Sequence, residues 1–301
     1  MFNDDVTVAQ GAAINVDQAM SLAEDKTFST GETLSVQAHS LQMNARSSLH
    51  VGKDAVLSTV GDQSLATLDV KGSLLDIDSA TGSVHFTEQV SVQGQADIQA
   101  KEAVALGEGQ ALQATSDVAI QADRIHFEQG SLLSSLGHLT INTNNDTTLF
   151  NTEVGAQAII NTGSDLTTNG QMRVGNSLTL DQGGNIHLKG VTIVGQNLLV
   201  NTDGHFTSDA LVQVGQNLTL TTAGSPRFGG MNIVGINVQA DVGGELITDN
   251  LLQVGQNLNL SVVDNIGLSG NVLVGQNAAI DTKGHLTAEE QVQVGQSAAL
   301  T

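Results

Sequence analysis

Short runs of alternating apolar and polar residues follow one another along the chain, and in its second half they recur every 20 residues. The dipeptide Val-Gly marks the repeat and occurs eight times in one register, with its valines at Val154, Val174, Val194, Val214, Val234, Val254, Val274 and Val294. Self-similarity at a fixed period of this length is the sequence signature of a repeat architecture.

Two apolar columns follow the dipeptide in each repeat. In the unit that begins at Val214, Leu218 and Leu220 are apolar, whereas Thr219 between them is polar. Alternation with a period of two predicts a β-strand with one buried face. A later glycine and two further short apolar runs complete the unit. We therefore expect three short strands joined by tight turns in every repeat.

The turn after each valine combines a glycine with an asparagine column. We expect the glycine to adopt a positive φ or to lie at a close backbone approach. Asparagines stacked in neighbouring repeats can hydrogen-bond to one another and to the turn. The predicted structural ladder consists of Val194, Gly195, Asn197, Leu198, Val214, Gly215, Asn217, Leu218, Leu220, Val254, Gly255, Asn257, Leu258 and Leu260.

These patterns predict an all-β fold, a right-handed parallel β-helix (solenoid) with coils of about 20 residues and about 15 coils in total. Residues 1–153 follow a looser Gly-x-x-apolar-x-apolar pattern, as in Gly11, Ile14 and Val16. We expect them to form less regular coils with turn insertions. Residues 154–301 are expected to form regular haemagglutinin-type repeats of the same solenoid.

A weaker period of 40 residues is superimposed on the repeat. The residue before the valine alternates between apolar and polar, as Ile193 and Gln213 show. A second column alternates between large and small residues, as Leu188 and Ser208 show. The alternation predicts that neighbouring coils pack differently at one corner.

The segments 194–204 and 214–224, with the sequences VGQNLLVNTDG and VGQNLTLTTAG, resemble the repeats of filamentous haemagglutinin. Proteins of this family are two-partner-secretion exoproteins, and some are contact-dependent growth inhibition effectors. The resemblance is clear over 154–301 and diffuse over 1–153. It implies a secreted structural shaft on the outer surface of a Gram-negative bacterium, which presents an adhesive or toxic module to another cell. The implied partners are an outer-membrane secretion protein and a target-cell receptor or glycan.

Two landmarks of that family are not found within these 301 residues. The sole proline, Pro226, excludes an Asn-Pro-Asn secretion motif, and we identify no toxin module among these residues. Adhesin and toxin carrier therefore both stay open. The first residues lack a basic segment followed by an apolar run, so we expect no signal peptide among them. If the chain is exported, we expect it to be an internal fragment.

Composition narrows the functional classes. The net charge of −21 disfavours a nucleic-acid partner, because nucleic acid carries negative phosphates. The lack of cysteine excludes disulfides and cysteine-based zinc sites. The chain has no apolar stretch of about 18 residues, so we expect no membrane-spanning helix.

Carboxylates are candidates for catalysis because parallel β-helices also host polysaccharide-cleaving enzymes. Asp76 and Asp78 alternate on one predicted strand face, and paired carboxylates can serve acid–base chemistry. With 31 acidic and only 10 basic residues, a solvated acidic surface explains such pairs, and we expect no catalysis. Further acidic pairs are Asp4 with Asp5 and Glu289 with Glu290.

Candidate metal and cofactor sites are equally sparse. His205 and His285 occupy equivalent repeat positions four coils apart, about 19 Å, which is too far for one metal ion. We therefore interpret both as exposed turn residues. Isolated glycine motifs, which lack the rest of a calcium-binding or nucleotide-binding pattern, occur at 183–185, 243–245 and 107–109. We expect no cofactor and no metal.

Two alternatives to a structural shaft stay open. The first is a carbohydrate- or receptor-binding adhesin region with its site in the irregular turns of residues 1–153, because binding sites favour loops on a rigid scaffold. The second is a polysaccharide-active enzyme.

Overall fold

The computed structural model describes all residues, 1–301, and contains strands and turns but no helix. The chain divides into two compact units, Met1–Gly155 and Ala156–Thr301. Within each unit every third strand joins the same parallel sheet, so each coil contributes one strand to each of three sheets. The prediction of an all-β parallel solenoid with coils of about 20 residues is confirmed.

The first unit begins with one strand of each sheet. We call the sheets that contain β1, β2 and β3 the first, second and third sheets. The strands are β1 (Val6–Val8), β2 (Ala12–Asn15), β3 (Met20–Leu22), β4 (Thr27–Thr30), β5 (Leu34–Ala38), β6 (Leu41–Met43), β7 (Ser48–Val51), β8 (Ala55–Thr59), β9 (Gln63–Leu65), β10 (Thr67–Val70), β11 (Leu74–Ser79), β12 (Val84–Phe86), β13 (Val90–Val92), β14 (Gln95–Ala100), β15 (Ala103–Leu106), β16 (Ala111–Ala114), β17 (Val118–Ala122), β18 (Arg124–Phe127), β19 (Leu132–Ser135), β20 (Leu139–Thr143), β21 (Thr147–Leu149) and β22 (Asn151–Val154).

The second unit repeats the same order of strands. Its first strand belongs to the second sheet. The strands are β23 (Ala158–Thr162), β24 (Leu166–Thr168), β25 (Met172–Val174), β26 (Leu178–Gln182), β27 (Ile186–Leu188), β28 (Thr192–Val194), β29 (Leu198–Thr202), β30 (Phe206–Ser208), β31 (Val212–Val214), β32 (Asn217–Thr222), β33 (Arg227–Phe228), β34 (Asn232–Val234), β35 (Asn237–Val242), β36 (Leu246–Thr248), β37 (Leu252–Val254), β38 (Asn257–Val262), β39 (Ile266–Leu268), β40 (Val272–Val274), β41 (Asn277–Thr282), β42 (Leu286–Ala288), β43 (Val292–Val294) and β44 (Ser297–Leu300).

The core of each unit is built from columns of like side chains. In β32, Leu218 and Leu220 point inward and are at most 2% exposed. Parallel pairing places Leu218 opposite Val238 and Leu220 opposite Ala240 of the next coil. Because strand partners in this unit are one repeat apart, every inward position stacks on its own equivalent. Full burial of one leucine contributes about 1.5–3 kcal/mol, so the stacked columns supply most of the stabilisation.

The first unit is less regular because its corners differ in length. Thr67 pairs with Ser48, whereas Val90 pairs with Leu68, so the two coils contain different numbers of residues. Four of the turns from the third to the first sheet close through a hydrogen bond from the N–H of the fourth turn residue to the carbonyl of the first. The third residue of each has a positive φ, and these residues are Asp25, Arg46, Gly109 and Gly130.

Arg46 also provides the shortest ion pairs of the first unit. Its guanidinium lies 2.5 Å from the Glu24 carboxylate and 2.6 Å from that of Asp25, and all three side chains are exposed. The hydrogen bond from Arg46 lowers the pKa of Asp25. The arrangement links two successive corner turns across the coil boundary.

The 40-residue alternation has a structural basis at the same corner of the second unit. Thr168 and Thr248 end third-sheet strands as small buried residues, and Met172 and Leu252 follow four residues later as larger ones. In the coil between them that contains Leu188 and Thr192, the larger residue ends the third-sheet strand and the smaller one follows four residues later. Each coil thus matches a larger side chain on one side of the turn with a smaller one on the other, which keeps the corner filled.

The backbone of this corner alternates as well. The N–H groups of Lys189 and Gly190 both donate to the carbonyl of Thr168, whereas only Asp209 donates to Leu188 one coil later. A Cβ on Gly190 would lie 1.7 Å from the carbonyl oxygen of Gly170, so the tighter form of the turn requires glycine. The two corner forms therefore differ in both side-chain volume and backbone path.

The alternating corner leaves buried hydroxyl groups without partners. The Oγ1 of Thr248 has no hydrogen-bond partner, and the residue is 1% exposed. Because an unsatisfied buried hydroxyl costs about 1–3 kcal/mol, Thr248→Val should raise the free energy of unfolding by about 1 kcal/mol. Urea denaturation followed by circular dichroism would measure the change.

Thr222 is the matched control for this substitution. It is also buried, but its hydroxyl donates to the Gly204 carbonyl at 2.6 Å and accepts from the Gly224 N–H at 3.1 Å. Thr222→Val should therefore lower the free energy of unfolding by about 1–2 kcal/mol. Equal losses in both variants would contradict the assignment of Thr248 as unsatisfied.

Candidate functional site

The Val-Gly turn brings the backbones of successive coils into close contact. A Cβ on Gly195 would lie 1.9 Å from the carbonyl oxygen of Gly175, and a Cβ on Gly215 would lie 2.0 Å from that of Gly195. Gly255 is equally close to Gly235. None of the three has a positive φ. Of the two expectations for this glycine, close approach is correct and positive φ is wrong, because the restriction comes from the neighbouring coil.

The asparagine column forms a chain of side-chain hydrogen bonds along the second sheet. From Asn217 onward, each Nδ2 donates to the Oδ1 of the asparagine one coil earlier, at 2.9–3.0 Å. The hydroxyl of Ser297 is the last member of this series of hydrogen bonds and donates to Asn277 at 2.6 Å. The amides are half-buried, so each bond is partly shielded from water. The members of this asparagine ladder are Asn197, Asn217, Asn237, Asn257 and Asn277.

The apolar residues of the predicted ladder flank this chain of amides. All are at most 2% exposed, and they lie in the first and second sheets on either side of the Val-Gly turn. The arrangement is a set of parallel columns rather than a group converging on one point, so its physical effect is to hold coil against coil. These buried residues are Val194, Leu198, Val214, Leu218, Leu220, Val254, Leu258 and Leu260.

A second ladder, which sequence reasoning missed, lies at the turn before the third sheet. Here a side chain accepts a hydrogen bond from the backbone N–H of the equivalent residue one coil later. The acceptors differ in type but share an acceptor atom close to the backbone. We call this the acceptor ladder, and its accepting members are Asp165, Asn185, His205, Ser225 and Asn265.

The two histidines singled out in the sequence are both exposed and belong to this ladder. Nδ1 of His205 accepts from the Ser225 N–H at 2.9 Å, which requires the tautomer with no proton on this ring nitrogen. The N–H of His285 donates to Asn265 at 2.9 Å. His205 therefore has a structural partner that its position in the sequence did not reveal.

The carboxylates considered for catalysis form a stripe on the outer face of the second sheet. Asp76 and Asp78 share one face of β11, and pairing with β14 places Asp97 directly opposite Asp76. Partial burial, together with the charges of Asp97 and Asp78, raises the pKa of Asp76. The raised pKa thus reflects first the cost of partly burying the charge and second its repulsion by the neighbouring carboxylates.

Removing the Asp76 charge should stabilise the protein at neutral pH. The raised pKa means that the fold binds this proton more tightly than the unfolded chain does, so the charged form is a destabilising contribution above the folded-state pKa. Asp76→Asn should raise the free energy of unfolding at pH 7 by up to about 1 kcal/mol, the range for like charges on opposing strands. Near pH 3, below the ordinary aspartate pKa of 3.8, the difference should shrink toward zero.

Glu290→Gln is the control, because Glu290 is exposed and forms no ion pair. Parallel urea titrations at the two pH values would measure both variants. An Asp76→Asn effect of the same size at pH 3 and pH 7 would show that the charge of Asp76 is not its source.

The other sequence candidates lie at separate, exposed places. Asp4 and Asp5 precede β1, and Asp5 accepts from the Thr27 N–H at 2.8 Å. Glu289 and Glu290 follow β42. No group of three or more His, Cys, Asp or Glu side chains is arranged to hold a metal ion. No helix that could cross a membrane is present. The glycine motifs occupy turns at 107–109, 183–185 and 243–245.

Two of the surface grooves are lined by both polar and apolar residues. One, of about 340 Å³, lies in the first unit beside Asn15, Asp17, Gln37, His39 and Val60, of which Val60 is 49% exposed. The other has a similar volume and surrounds Gly267 in the second unit. Comparison of the sequence with protein-family models and with curated proteins, and of the fold with solved structures, finds no match.

Proposed function

We propose that this chain is a structural segment of an exported bacterial surface protein, part of a shaft that presents an adhesive or toxic module to another cell. The observation that carries the proposal is the unbroken register of the second unit. The Val-Gly turn and the asparagine ladder recur there coil after coil without an insertion. Such uniformity suits a segment that acts as a spacer and keeps the presented module away from the cell surface.

The energetics of the stacking support the same role. Each inner coil forms main-chain hydrogen bonds to both neighbours, and the amide ladder adds one bond per step, so load along the coil axis is shared by many bonds. The net charge of −21 keeps such a surface soluble and discourages lateral association. The resemblance of residues 154–301 to filamentous haemagglutinin repeats gives the shaft its cellular setting, with an outer-membrane secretion partner and a target-cell receptor or glycan.

Removal of whole repeats tests the proposal. Deletion of Gly195–Val234 removes two coils, so the two corner forms still alternate along the remaining coils. Deletion of Gly195–Val214 removes one coil and places two like corners together. We expect the first variant to fold with a smaller urea dependence of its unfolding free energy, as less surface is exposed on unfolding. The second should be less stable than the first, because its neighbouring corners both carry a large side chain in the same column.

A display experiment tests the function itself. The chain is placed between an outer-membrane anchor and a peptide epitope, and energy transfer from a dye on the epitope to a membrane dye reports the separation. A shaft that lacks Gly195–Val234 should bring the epitope closer by about 10 Å, which corresponds to two strand spacings. An unchanged separation would refute the role as a shaft.

The groove beside His39 favours a second candidate, an adhesin region in the first unit. It combines polar side chains with the exposed Val16 and Val60, a mixture suited to a sugar or a receptor loop. Binding to a glycan array or to target cells that is lost in His39→Ala and kept in Glu290→Gln would support it. Equal binding by both variants would count against this groove.

A further inference from the structure

The outer face of the third sheet carries two equivalent contacts between a basic side chain and a carboxylate in the second unit. Nε2 of His187 lies 2.5 Å from the Asp209 carboxylate, and Nε of Arg227 lies 2.6 Å from that of Asp249. In both pairs the acid follows the base by 22 residues. The two contacts are separated by two coils, and the equivalent positions two coils further along the chain are Gly267 and Glu289.

At these positions the basic residue is missing. Gly267 has no side chain, and the Glu289 carboxylate forms no ion pair within the chain. A Cβ on Gly267 would meet no atom within 4 Å, so the space that a basic side chain fills two coils earlier is open. The gap results from the missing side chain and not from a change in the backbone, because Gly267 stays paired with Ile247 and Thr287.

The acceptor ladder is interrupted at the same place. Ser225 accepts from the Glu245 N–H, but Glu245 does not accept from the next coil. The Asn265 N–H donates instead to Asp264 of its own turn, at 3.1 Å. The Glu245 carboxylate is therefore left without a role in the ladder, and it is only half-buried.

Both interruptions border one groove of about 340 Å³, which we call the Gly267 notch. Two carboxylates and a histidine lie around Gly267, which has no side chain to fill the groove. The polar residues that line it are Glu245, Asn265, Ser269, His285, Thr287 and Glu289.

We propose that the Gly267 notch binds the guanidinium group of an arginine from a partner polypeptide. The chain itself shows the chemistry, because the Arg227 guanidinium fills the equivalent space and contacts Asp249. A planar guanidinium presents several N–H donors to carboxylates, and both Glu245 and Glu289 line the groove. The acidic surface attracts a basic segment toward it. The site does not depend on the role of the chain as a shaft.

The full chain is titrated with N-acetyl-arginine amide, and the backbone amide signals of Gly267 and Thr287 are followed by nuclear magnetic resonance. The citrulline analogue, which has the same shape without the charge, is the ligand control. Because exposed ion pairs are weak, we expect saturable binding on the order of millimolar. Citrulline should leave both signals in place.

Matched variants locate the binding. Glu289→Gln and Glu245→Gln should each weaken it about twofold to fivefold, and Gly267→Arg should abolish it by filling the notch with a base of the chain itself. Glu290→Gln removes the same charge next to the notch and should leave affinity unchanged. Equal weakening by Glu289→Gln and Glu290→Gln would show only a general charge effect and overturn the proposal. Binding of calcium with no binding of the arginine amide would also overturn it.

Discussion

Replacing Gly215 with alanine is expected to lower the free energy of unfolding by about 3 kcal/mol. The added methyl group would lie 2.0 Å from the carbonyl oxygen of Gly195, well inside van der Waals contact. The obstacle is backbone, which is held by the hydrogen bond from the Gly215 N–H to Val194 and cannot rotate away as a side chain could. Two coils would have to separate locally, and the adjoining main-chain hydrogen bonds would lengthen.

Gly267→Ala provides the matched control. It adds the same methyl group to the same unit, but at a strand position where no atom lies within 4 Å. Alanine also restricts the unfolded chain more than glycine, so stability should stay the same or rise by about 0.4–1 kcal/mol. Urea denaturation of both variants measures the difference. A loss in Gly215→Ala no larger than in Gly267→Ala would mean that the close approach of the coils does not constrain this turn.

Asn237→Ala should lower the free energy of unfolding by about 2 kcal/mol, because leaving partly buried polar groups without partners costs more than the hydrogen bonds alone contribute. Asn237 donates to Asn217 at 3.0 Å and accepts from Asn257 at 2.9 Å. Its removal therefore leaves an acceptor and a donor unpaired in the middle of the ladder.

Asn259→Ala is the control for the ladder. Asn259 lies in the neighbouring coil, but it is exposed and outside the chain of amides, so its change should stay within about 0.5 kcal/mol. Thermal and urea unfolding would compare the two variants. Similar values for both would show that water replaces the amide bonds without loss and that the ladder adds no stability.

The candidate sites show where sequence patterns lose information. Asp76 and Asp78 could be assigned to one strand face from their spacing, but their neighbour Asp97 could not. Its position opposite Asp76 depends on the lengths of the intervening corners, and the separation of strand partners along the chain is not constant in the first unit. A change of one residue in a turn would have placed Asp97 on the other face.

The acceptor ladder was invisible for a different reason. Asp165, His205 and Ser225 have little in common as residue types, and only their shared position shows that each offers an acceptor to the next coil. The Gly267 notch likewise depends on two features that are interrupted at one place. The acceptor ladder advances by one coil at each step, and the contact between a base and a carboxylate recurs two coils apart. Neither the interrupted ladder nor the missing basic side chain can be recognised from the sequence alone.

The sequence by itself determined the strands, the buried columns and the parallel stacking. The reason is that a period-two pattern repeated at a constant interval can bury its apolar face only when equivalent residues lie on top of one another. Only the tertiary structure decided which feature of the Val-Gly turn requires glycine, which polar groups pair between coils and where pairing fails. Those properties depend on distances of a few ångströms between residues of different coils, and composition and spacing do not encode such distances.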